Sequence, residues 1–519
     1  MKELLGRVPA AAVMYDAVRP RRPRTRYNLE QLAAHLPAAL NDARPFAEKA
    51  APATKLLLFA TLHYWIEQAA MLAIVLRGMG HEVTLAYLPY SSWQKTINAF
   101  DLQRQDLYTR RVLAPLAGFV RPVSLLDVDR APALPAQLER AIETASSYDA
   151  MYSLQSEEVE RSSDLYLLRM ERNRAACLGA WGLLQSERPE TVLVPNGLVT
   201  ELGVFYQVAR HLGIPTVTYE FNDQREQIWL AQNDIVMRQN TGALWKARGV
   251  RALTDAEHGQ IEALERARSG AQTYAKGTRK WQDAPAEGAQ ALRGRLGLDS
   301  RPVVLLATNV LGDSLTLGRH IFASSMAEWI ERTVGFFSTR PSIQLVVRIH
   351  PGERITKGRS MMEVVERAAP GRPEHIRVIG PTDATNTYDL MGLASVGLAY
   401  TTTVGMEMAM RGVPVVVAGD THYRGRGFTT DPSSWEEYFA VLADMLQDPA
   451  RFRLDPARLE LAWNYAYRFF FEYPRDFPWR LMHLWRDVEE WPVRRVLSPE
   501  GRNLFGQTLR HLAGEAIRW

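Results

Sequence analysis

The chain has 519 residues, of which 46% are hydrophobic and 23% are charged. This composition is ordinary for a soluble globular protein and excludes a disordered chain, and the length predicts about two to four domains. The formal net charge of +4 is small for the length, so we expect no nucleic-acid partner, although an anionic ligand fits. The single cysteine, Cys177, excludes an internal disulfide framework and a cysteine-based zinc site.

The longest apolar run, Ala69–Leu76, is far shorter than the ~20 residues that a membrane-spanning helix needs. The first residues carry charges within a very short apolar stretch, so we interpret them as mature protein rather than a signal peptide. Together with the lone cysteine, these features predict a cytoplasmic protein, with the inner face of the membrane as a further place of contact.

Short apolar runs alternate with helical periodicity in the first half, which is typical of βαβ units with a parallel sheet. The predicted strands are Lys55–Thr61, Glu82–Tyr87, Thr191–Val194 and Thr216–Tyr219. The predicted helices are Trp65–Met79, Gln155–Leu184 and one that ends near Leu212. We expect these elements to form a Rossmann-like domain over residues 1–268.

A polar segment over residues 269–301 predicts an interdomain linker, after which the α/β alternation restarts. The predicted strands of this second half are Val303–Ala307, Gln344–Ile349, Arg377–Ile379, Val396–Ala399 and Pro414–Ala418. A long helix is expected at about Gly318–Phe337. The second Rossmann-like domain then covers residues 302–450, followed by aromatic helices over 451–519. Ligands of open parallel sheets bind beyond the carboxyl ends of the strands, so two such domains predict an α/β fold with a cleft between them.

One candidate site residue stands where the strand Gln344–Ile349 ends at His350-Pro351. Proline prevents the strand from continuing, and the histidine can donate a hydrogen bond to a phosphate oxygen. Arg348, Arg354 and Lys357 add positive charge nearby. The alternative is a histidine that merely ends a strand beside a solvated basic loop, and this stretch alone does not decide between them.

Three hydroxyl residues, Thr401, Thr402 and Thr403, follow another strand and precede a helix that contains Gly405 and Glu407. The unpaired N–H groups of a helix N-terminus and the threonine hydroxyls suit a phosphate, and Glu407 is placed to accept hydrogen bonds from ribose. Helix caps of this kind are common, so in isolation the pattern favours a plain cap.

The glycine-rich loop Asp420–Thr430 carries Tyr423 and Arg426 after the last strand. Such a basic loop suits a mobile wall over an anionic ligand, with an ordinary surface loop as the alternative.

In the first half, Asn196-Gly197 and the carboxylates Glu220 and Asp223 also follow strands. A carboxylate at this edge can remove a proton from an attacking hydroxyl, and the alternative for each is a turn or cap residue. His63, just past the first strand, is a candidate by position, with a core or capping role as the alternative.

The sequence predicts neither a metal nor a resident cofactor. Asp127-Val128-Asp129 spells a DxD motif but stands in a linker-like stretch far from any nucleotide signature. The 11 histidines show no HxxxH or HExxH spacing, and Cys177 stands alone.

Taken together, the order of these motifs resembles that of bacterial capsular-polysaccharide glycosyltransferases of the GT-B type, the Kdo- and sialic-acid-transferring enzymes. The resemblance covers about residues 190–225 and 300–445. It is carried by three motifs, which are His350-Pro351, the T-x-G-x-E-x-A-x-x-G-x-P run at Thr403–Pro414, and the Y-x-G-x-G-F-T loop at Tyr423–Thr429.

The resemblance implies a GT-B fold and a nucleotide-sugar donor, CMP- or UDP-linked, whose phosphate contacts His350 and the threonine cluster. The further residues expected to bind the donor are Arg348, Pro351, Gly405, Tyr423 and Arg426. Glu407 is then expected near the ribose, and Asn196-Gly197 on the acceptor side. Glu220 becomes the first choice for the catalytic base and Asp223 the second. Leu198 and Asn222 replace the arginine and the glycine of the family's two N-terminal motifs, which indicates a different glycan or lipid-linked acceptor.

Three rival functions stay open at this stage. A polyol-phosphate transferase of the teichoic-acid type needs histidines on both sides of the cleft, for which only His350 and His63 are available. A sugar-nucleotide epimerase shares the fold, and an inactive scaffold would bind glycan without turnover. The aromatic tail either packs back on the first domain or lies at a membrane surface, where the basic stretch Arg19–Arg26 would attract anionic lipid.

Overall fold

The computed structural model describes residues 9–18, 26–128, 133–249, 251–277, 280, 283–355, 358 and 360–519. It consists of two α/β domains, each built on its own sheet, which face each other across a cleft. The predicted fold class is therefore confirmed. Arg19–Arg24, Asp129 and Lys357 lie outside the described residues, so the expectations placed on them stay predictions.

The first sheet has seven strands in the order β12–β6–β5–β4–β1–β2–β3. Numbered in chain order, they are β1 Lys55–Thr61, β2 Glu82–Leu88, β3 Arg121–Ser124, β4 Thr191–Pro195, β5 Thr216–Phe221, β6 Gln227–Gln232 and β12 Arg475–Asp476. The five strands β5, β4, β1, β2 and β3 are parallel. Strand β6 runs antiparallel to β5, and the edge strand β12 runs antiparallel to β6. All four predicted strands of this half are present, with ends that differ by at most two residues.

Seven helices accompany this sheet in the described part of the chain. They are α1 Pro9–Val18, α2 Glu30–Ala47, α3 His63–Gly78, α4 Ala99–Leu113, α5 Ala136–Leu154, α6 Asp164–Glu187 and α7 Thr200–His211. Helix α3 carries the apolar run and is buried along nearly its whole length, so that run is core. No helix among the described residues is both long and apolar enough to cross a membrane.

The predicted helix Gln155–Leu184 is wrong at its start. Helix α5 ends where Gln155 adopts a left-handed φ of 51°, and α6 begins only at Asp164. The polar stretch between them does not continue the helix, because the Ser163 hydroxyl accepts a hydrogen bond from the Tyr166 N–H and caps α6 instead.

The second sheet has five strands, all parallel, in the order β11–β10–β7–β8–β9. They are β7 Val303–Ala307, β8 Gln344–Arg348, β9 Ile376–Ile379, β10 Val396–Ala399 and β11 Val415–Val417. The helices of this half are α8 Gly242–Arg248, α9 Asp255–Ser269, α10 Ala289–Arg295, α11 Met326–Ser338, α12 Met361–Ala368, α13 Thr387–Leu393, α14 Val404–Ala409, α15 Trp435–Gln447 and α16 Pro456–Tyr467. The helix predicted from Gly318 starts later, because Ser325 caps α11 and the residues before it form an irregular loop.

The core of the second domain includes residues that precede the predicted boundary at residue 268. Leu244, Ile261 and Leu292, from α8, α9 and α10, are buried in the core of the second domain. Residues 269–301 are therefore not a free linker, since α10 packs against α13. This packing was not predicted from the sequence, because α9 is mostly charged and buries only a narrow stripe of residues.

The C-terminal residues return to the first domain. Helix α16 belongs to the second core, and a π-helical turn, Arg468–Glu472, leads into strand β12. The last helices, α17 Leu484–Glu490, α18 Val493–Leu497 and α19 Pro499–Leu512, pack into the first core. Trp479 is buried there, and its indole N–H donates to the Trp491 carbonyl oxygen over 2.9 Å. This part of the aromatic tail is thus core rather than membrane-facing surface.

A carboxylate connects the two domains. Glu157, in the segment between α5 and α6, accepts hydrogen bonds from the backbone N–H groups of Met326 and Ala327, each over 2.9 Å. These are first-turn donors of α11, which have no partner within their own helix. The first domain therefore satisfies the N-terminus of a helix in the second.

We expect Glu157→Gln to lower the free energy of unfolding by about 1–2 kcal/mol, because one charge-assisted hydrogen bond and the helix-end attraction are lost. Urea unfolding followed by tryptophan fluorescence measures the change. Glu158→Gln, an exposed neighbour with the same charge change, serves as the control. A Glu157→Gln protein as stable as the control would contradict the interdomain role.

Candidate functional site

A large cavity, of about 1200 Å3, lies at the carboxyl edge of the second sheet. The loops that follow β7, β8, β9 and β10 form its walls, together with the segment before α10. The members singled out by the sequence are Arg348, His350, Pro351, Arg354, Thr402, Thr403 and Glu407. This is the edge at which parallel α/β sheets bind ligands.

A second cavity, of about 560 Å3, lies between the domains. His350, Thr402 and Thr403 line both cavities, and Thr401 lines this second one. From the first domain it receives Asn222 and Asp223. His350 and the threonine cluster therefore stand together where the two cavities meet, and this position opens toward the first domain.

The backbone fixes the orientation of the His350 ring. The Gly352 N–H donates to His350 Nδ1 over 3.0 Å, and the His350 N–H donates to Thr308 Oγ1 over 3.0 Å. Since Nδ1 accepts a hydrogen bond, the neutral ring carries its proton on Nε2. His350 is exposed and lines both cavities, so its ring is accessible to a ligand.

The threonine turn is held by its neighbours. The Thr401 N–H donates to Asn309 Oδ1 over 3.2 Å, and the Tyr423 hydroxyl donates to the Thr402 carbonyl oxygen over 2.7 Å. Thr401 Oγ1 is buried and has no hydrogen-bond partner in the described part of the chain. A buried hydroxyl without a partner costs free energy, so a polar group that entered the adjacent cavity and bonded Thr401 Oγ1 would be favoured.

Gly405 and Tyr423 support this turn and do not line either cavity. A Cβ atom on Gly405 would lie 2.2 Å from the Tyr423 hydroxyl and 2.9 Å from Ala399 Cβ. Only glycine allows so close an approach, and Tyr423 itself is fully buried. Both were expected to contact the donor, and the structure places them behind the turn instead.

The loop Asp420–Thr430 is not a wall over the ligand. Its His422 ring stacks on Phe469, with ring centroids 3.8 Å apart, and Phe428 is buried. Arg426 donates to Thr241 Oγ1 over 3.3 Å and lines neither cavity. The prediction for this loop is wrong because its side chains pack against the returning C-terminal segment, which lies far away in the sequence.

Arg348 forms a cationic part of the larger cavity's wall. Its guanidinium donates to the carbonyl oxygens of Gly380 and Thr385, over 2.7 and 3.3 Å, and to Thr387 Oγ1 over 3.4 Å. Burial lowers the pKa of Arg348, while the charge of Asp383 opposes this shift. Because these hydrogen bonds go to uncharged oxygens, the positive charge is available to an anionic ligand in the cavity.

Glu407 lies in the same wall, but its Oε1 is engaged by the protein. It forms an ion pair with Arg268 and accepts a hydrogen bond from the Tyr388 hydroxyl over 3.1 Å. The expected contact with ribose therefore competes with these two partners. No sequence motif pointed to Arg268, which stands at the end of α9 with its Cζ atom 4.4 Å from the centre of the Phe470 ring.

The two motifs of the first domain contact each other. Asn196 Nδ2 donates to Glu220 Oε2 over 2.9 Å, and Glu220 Oε1 accepts from the Phe221 N–H over 3.0 Å. Asn196 and Gly197 both have left-handed φ values, 59° and 77°, and a Cβ on Gly197 would lie 2.6 Å from Thr218 Cγ2. Burial raises the pKa of Glu220, and the two hydrogen bonds oppose this.

Glu220 does not line the cavity between the domains, whereas Asp223 does. His63 lines neither cavity. The His63 ring packs against Tyr27 and Tyr64, and burial lowers the pKa of His63. These contacts favour a structural role for His63 over a role in the site.

Aromatic side chains that the sequence did not assign to the site form one side of the interdomain cavity. They are Trp229, Tyr274, Phe469, Phe470 and Phe471. Three of them come from the π-helical turn, a distortion that is often found at functional sites. The run of three phenylalanines was visible in the sequence, but only the return of the tail brings it to the cleft.

We find no group of three potential metal ligands among the described residues. Asp127, the described carboxylate of the DxD motif, forms an ion pair with Arg110.

No protein-family model matches the chain, and no curated protein sequence matches it either. Solved structures with a similar arrangement include KpsC, a beta Kdo 2,4 transferase from Thermosulfurimonas dismutans, at 19% identity and a TM-score of 0.36. That similarity covers 56% of this chain and 83% of KpsC.

Two further structures are similar over more of the chain. The UDP-GlcNAc 2-epimerase from Neisseria meningitidis has 10% identity and a TM-score of 0.27, covering 81% of this chain and 99% of that one. The Streptomyces sp. SF2575 glycosyltransferase SsfS6 has 13% identity and a TM-score of 0.23, covering 88% and 100%. Similarity this distant does not bear on the substrate of this chain.

Proposed function

We propose that the protein is a glycosyltransferase that moves a sugar from a nucleotide sugar to a glycan or lipid-linked acceptor. The donor nucleotide occupies the larger cavity of the second domain, and the acceptor enters the cavity between the domains. The observation that carries this proposal is the position of His350 and the threonine turn at the junction of the two cavities.

This junction suits the departure of a phosphate. When the bond between the anomeric carbon and the phosphate oxygen breaks, negative charge develops on the leaving nucleotide. His350 Nε2 and the Thr401 hydroxyl offer preorganised donors to it, and Arg348 supplies positive charge in the same wall.

The acceptor oxygen forms the new bond to the anomeric carbon, and its proton needs a base. Burial raises the pKa of Glu220, but this residue stands outside the interdomain cavity. A base must contact the acceptor to remove its proton. Asp223 lines the interdomain cavity and Glu220 does not, so we assign the base to Asp223. Glu220 then acts as a positioning residue that orients Asn196.

We further propose that the donor is CMP- or UDP-linked and that transfer needs no metal, because histidine, hydroxyl and arginine groups together offset the leaving charge. The aromatic side of the interdomain cavity suits the apolar face of a sugar or of a lipid-linked acceptor. A polyol-phosphate transferase fits less well, because His63 does not reach the cleft.

Contact with a membrane surface is the remaining part of the proposal. On α1, Val13, Met14 and Val18 are 53%, 68% and 80% exposed, whereas Ala12 is buried. Tyr15 lies against the Arg104 guanidinium, which holds the helix on α4. Five arginines follow within the next eight residues of the sequence. An exposed apolar helix face beside a basic stretch suits an anionic lipid surface.

We expect CMP or UDP, at about 100 times its Kd, to stabilise the protein by about 2.7 kcal/mol, and CDP and GDP are titrated alongside as specificity arms. His350→Ala should weaken nucleotide binding about 10- to 100-fold, because a hydrogen bond to a charged phosphate is lost. His258→Ala, whose side chain lies outside both cavities, is the matched control. If no nucleotide shifts the melting temperature, or if both variants bind like wild type, the donor-site proposal fails.

Asp223→Asn should lower kcat by more than about 100-fold while nucleotide affinity stays unchanged, since a base is lost but the donor site is not. Glu220→Gln should lower kcat less than about tenfold. Release of nucleotide from CMP- and UDP-sugars, measured with and without EDTA, provides the readout, and EDTA should not change it. Full activity of Asp223→Asn with loss of turnover in Glu220→Gln would reverse the assignment. Binding without any turnover would identify an inactive scaffold, and sugar interconversion without an acceptor would identify an epimerase.

Wild-type protein should sediment with phosphatidylglycerol-containing vesicles more than with phosphatidylcholine vesicles, and less so at high salt. Met14→Glu/Val18→Glu should reduce this binding at least fivefold, whereas Leu504→Glu, a change at an exposed apolar residue of α19, should not. Equal sedimentation of the double variant and wild type would contradict a role for α1.

A further inference from the structure

A third cavity, of about 440 Å3, lies on the domain boundary behind the cleft. Helices α5 and α7 of the first domain form one side, and residues 314–319 with Asp420 of the second domain form the other. Met237 and Ser314 line this cavity, whereas their neighbours Gln239 and Leu315 line the interdomain cavity. A thin wall therefore separates the two.

A buried cation, Arg319, lines this cavity. Arg319 is only 5% exposed, and its guanidinium donates to the backbone carbonyl oxygens of Asp420 and Met237. Both acceptors are uncharged, and we find no ion pair between Arg319 and any described carboxylate. A buried cation that no described carboxylate contacts directly is costly, so a further negative charge in the cavity beside it is favourable.

Two further arginines line the same space. Arg140 projects from α5 and is exposed, and Arg238 follows β6 with its side chain 64% exposed. Burial lowers the pKa of Arg319, the charge of Asp420 opposes this shift, and the charge of Arg238 lowers the pKa further. Asp234 stands 3.6 Å from Arg238, and Asp420 is the one carboxylate that lines the cavity among the described residues. The lining therefore carries three positive charges against one negative charge.

We propose that this cavity binds an anion, a phosphate or carboxylate group on a small molecule or sugar, between Arg140 and Arg238 of the first domain and Arg319 of the second. Guanidinium groups bind both kinds of oxyanion through paired N–H donors. Because the site draws on both domains, its ligand favours the arrangement in which they stand together. The site is distinct from the donor and acceptor cavities and does not depend on the proposed transfer reaction.

Inorganic phosphate and glucuronate are the two probes, titrated at constant ionic strength with melting temperature as the readout. The titrations use His350→Ala protein, because phosphate is also expected to bind at the donor site. In that background, Arg140→Gln/Arg238→Gln removes two exposed charges from the cavity. The matched control, Arg161→Gln/Arg486→Gln, removes two exposed charges elsewhere.

We expect at least one probe to stabilise the His350→Ala protein, with an apparent affinity that falls at least tenfold in the cavity variant and less than twofold in the control. Stabilisation by phosphate alone or by glucuronate alone then identifies the group that is recognised. Failure of both probes, or equal binding to the cavity variant and the control, would overturn the proposal. Nucleotide binding by the cavity variant with His350 intact should match wild type, so failure here is distinguishable from failure of the transferase proposal.

Discussion

The site depends on how the second sheet orders its strands. Strand β7 lies between β8 and β10. The carboxyl ends of β8 and β10 are therefore two strand spacings apart, about 10 Å. His350 leaves one of them and the threonine turn leaves the other. A gap of this width accommodates a phosphate that accepts hydrogen bonds from both sides. Gly352 fixes the ring on one side and Tyr423 fixes the turn on the other, so both donors are oriented before a ligand arrives.

Residues outside that sheet complete the site. Arg268 reaches Glu407 from a helix that precedes the second sheet in the chain, and the phenylalanines of the π-helical turn come from beyond it. The first domain contributes Asp223, while Glu157 ties it to α11 of the second. Binding, orientation of the acceptor and proton removal are thus distributed over segments that only the folded chain brings together.

The sequence predicted those features that are local. Apolar strands, the proline after His350 and the hydroxyl run after β10 each follow from short patterns, and the strands were placed almost correctly. Features that depend on contacts between residues far apart in the chain could not be predicted from short sequence patterns. The loop at Tyr423–Thr429 looked basic and open, but His422 and Phe428 are buried against the tail. No sequence motif singled out Arg268, and its partner Glu407 is 139 residues away.

The most direct test of the proposed donor site is a crystal structure of the protein with bound CMP or UDP. We expect the nucleotide in the larger cavity of the second domain, with a phosphate oxygen within hydrogen-bond distance of both His350 Nε2 and the Thr401–Thr403 turn. A nucleotide bound elsewhere, or one in this cavity whose phosphate contacts neither His350 nor the threonines, would contradict it.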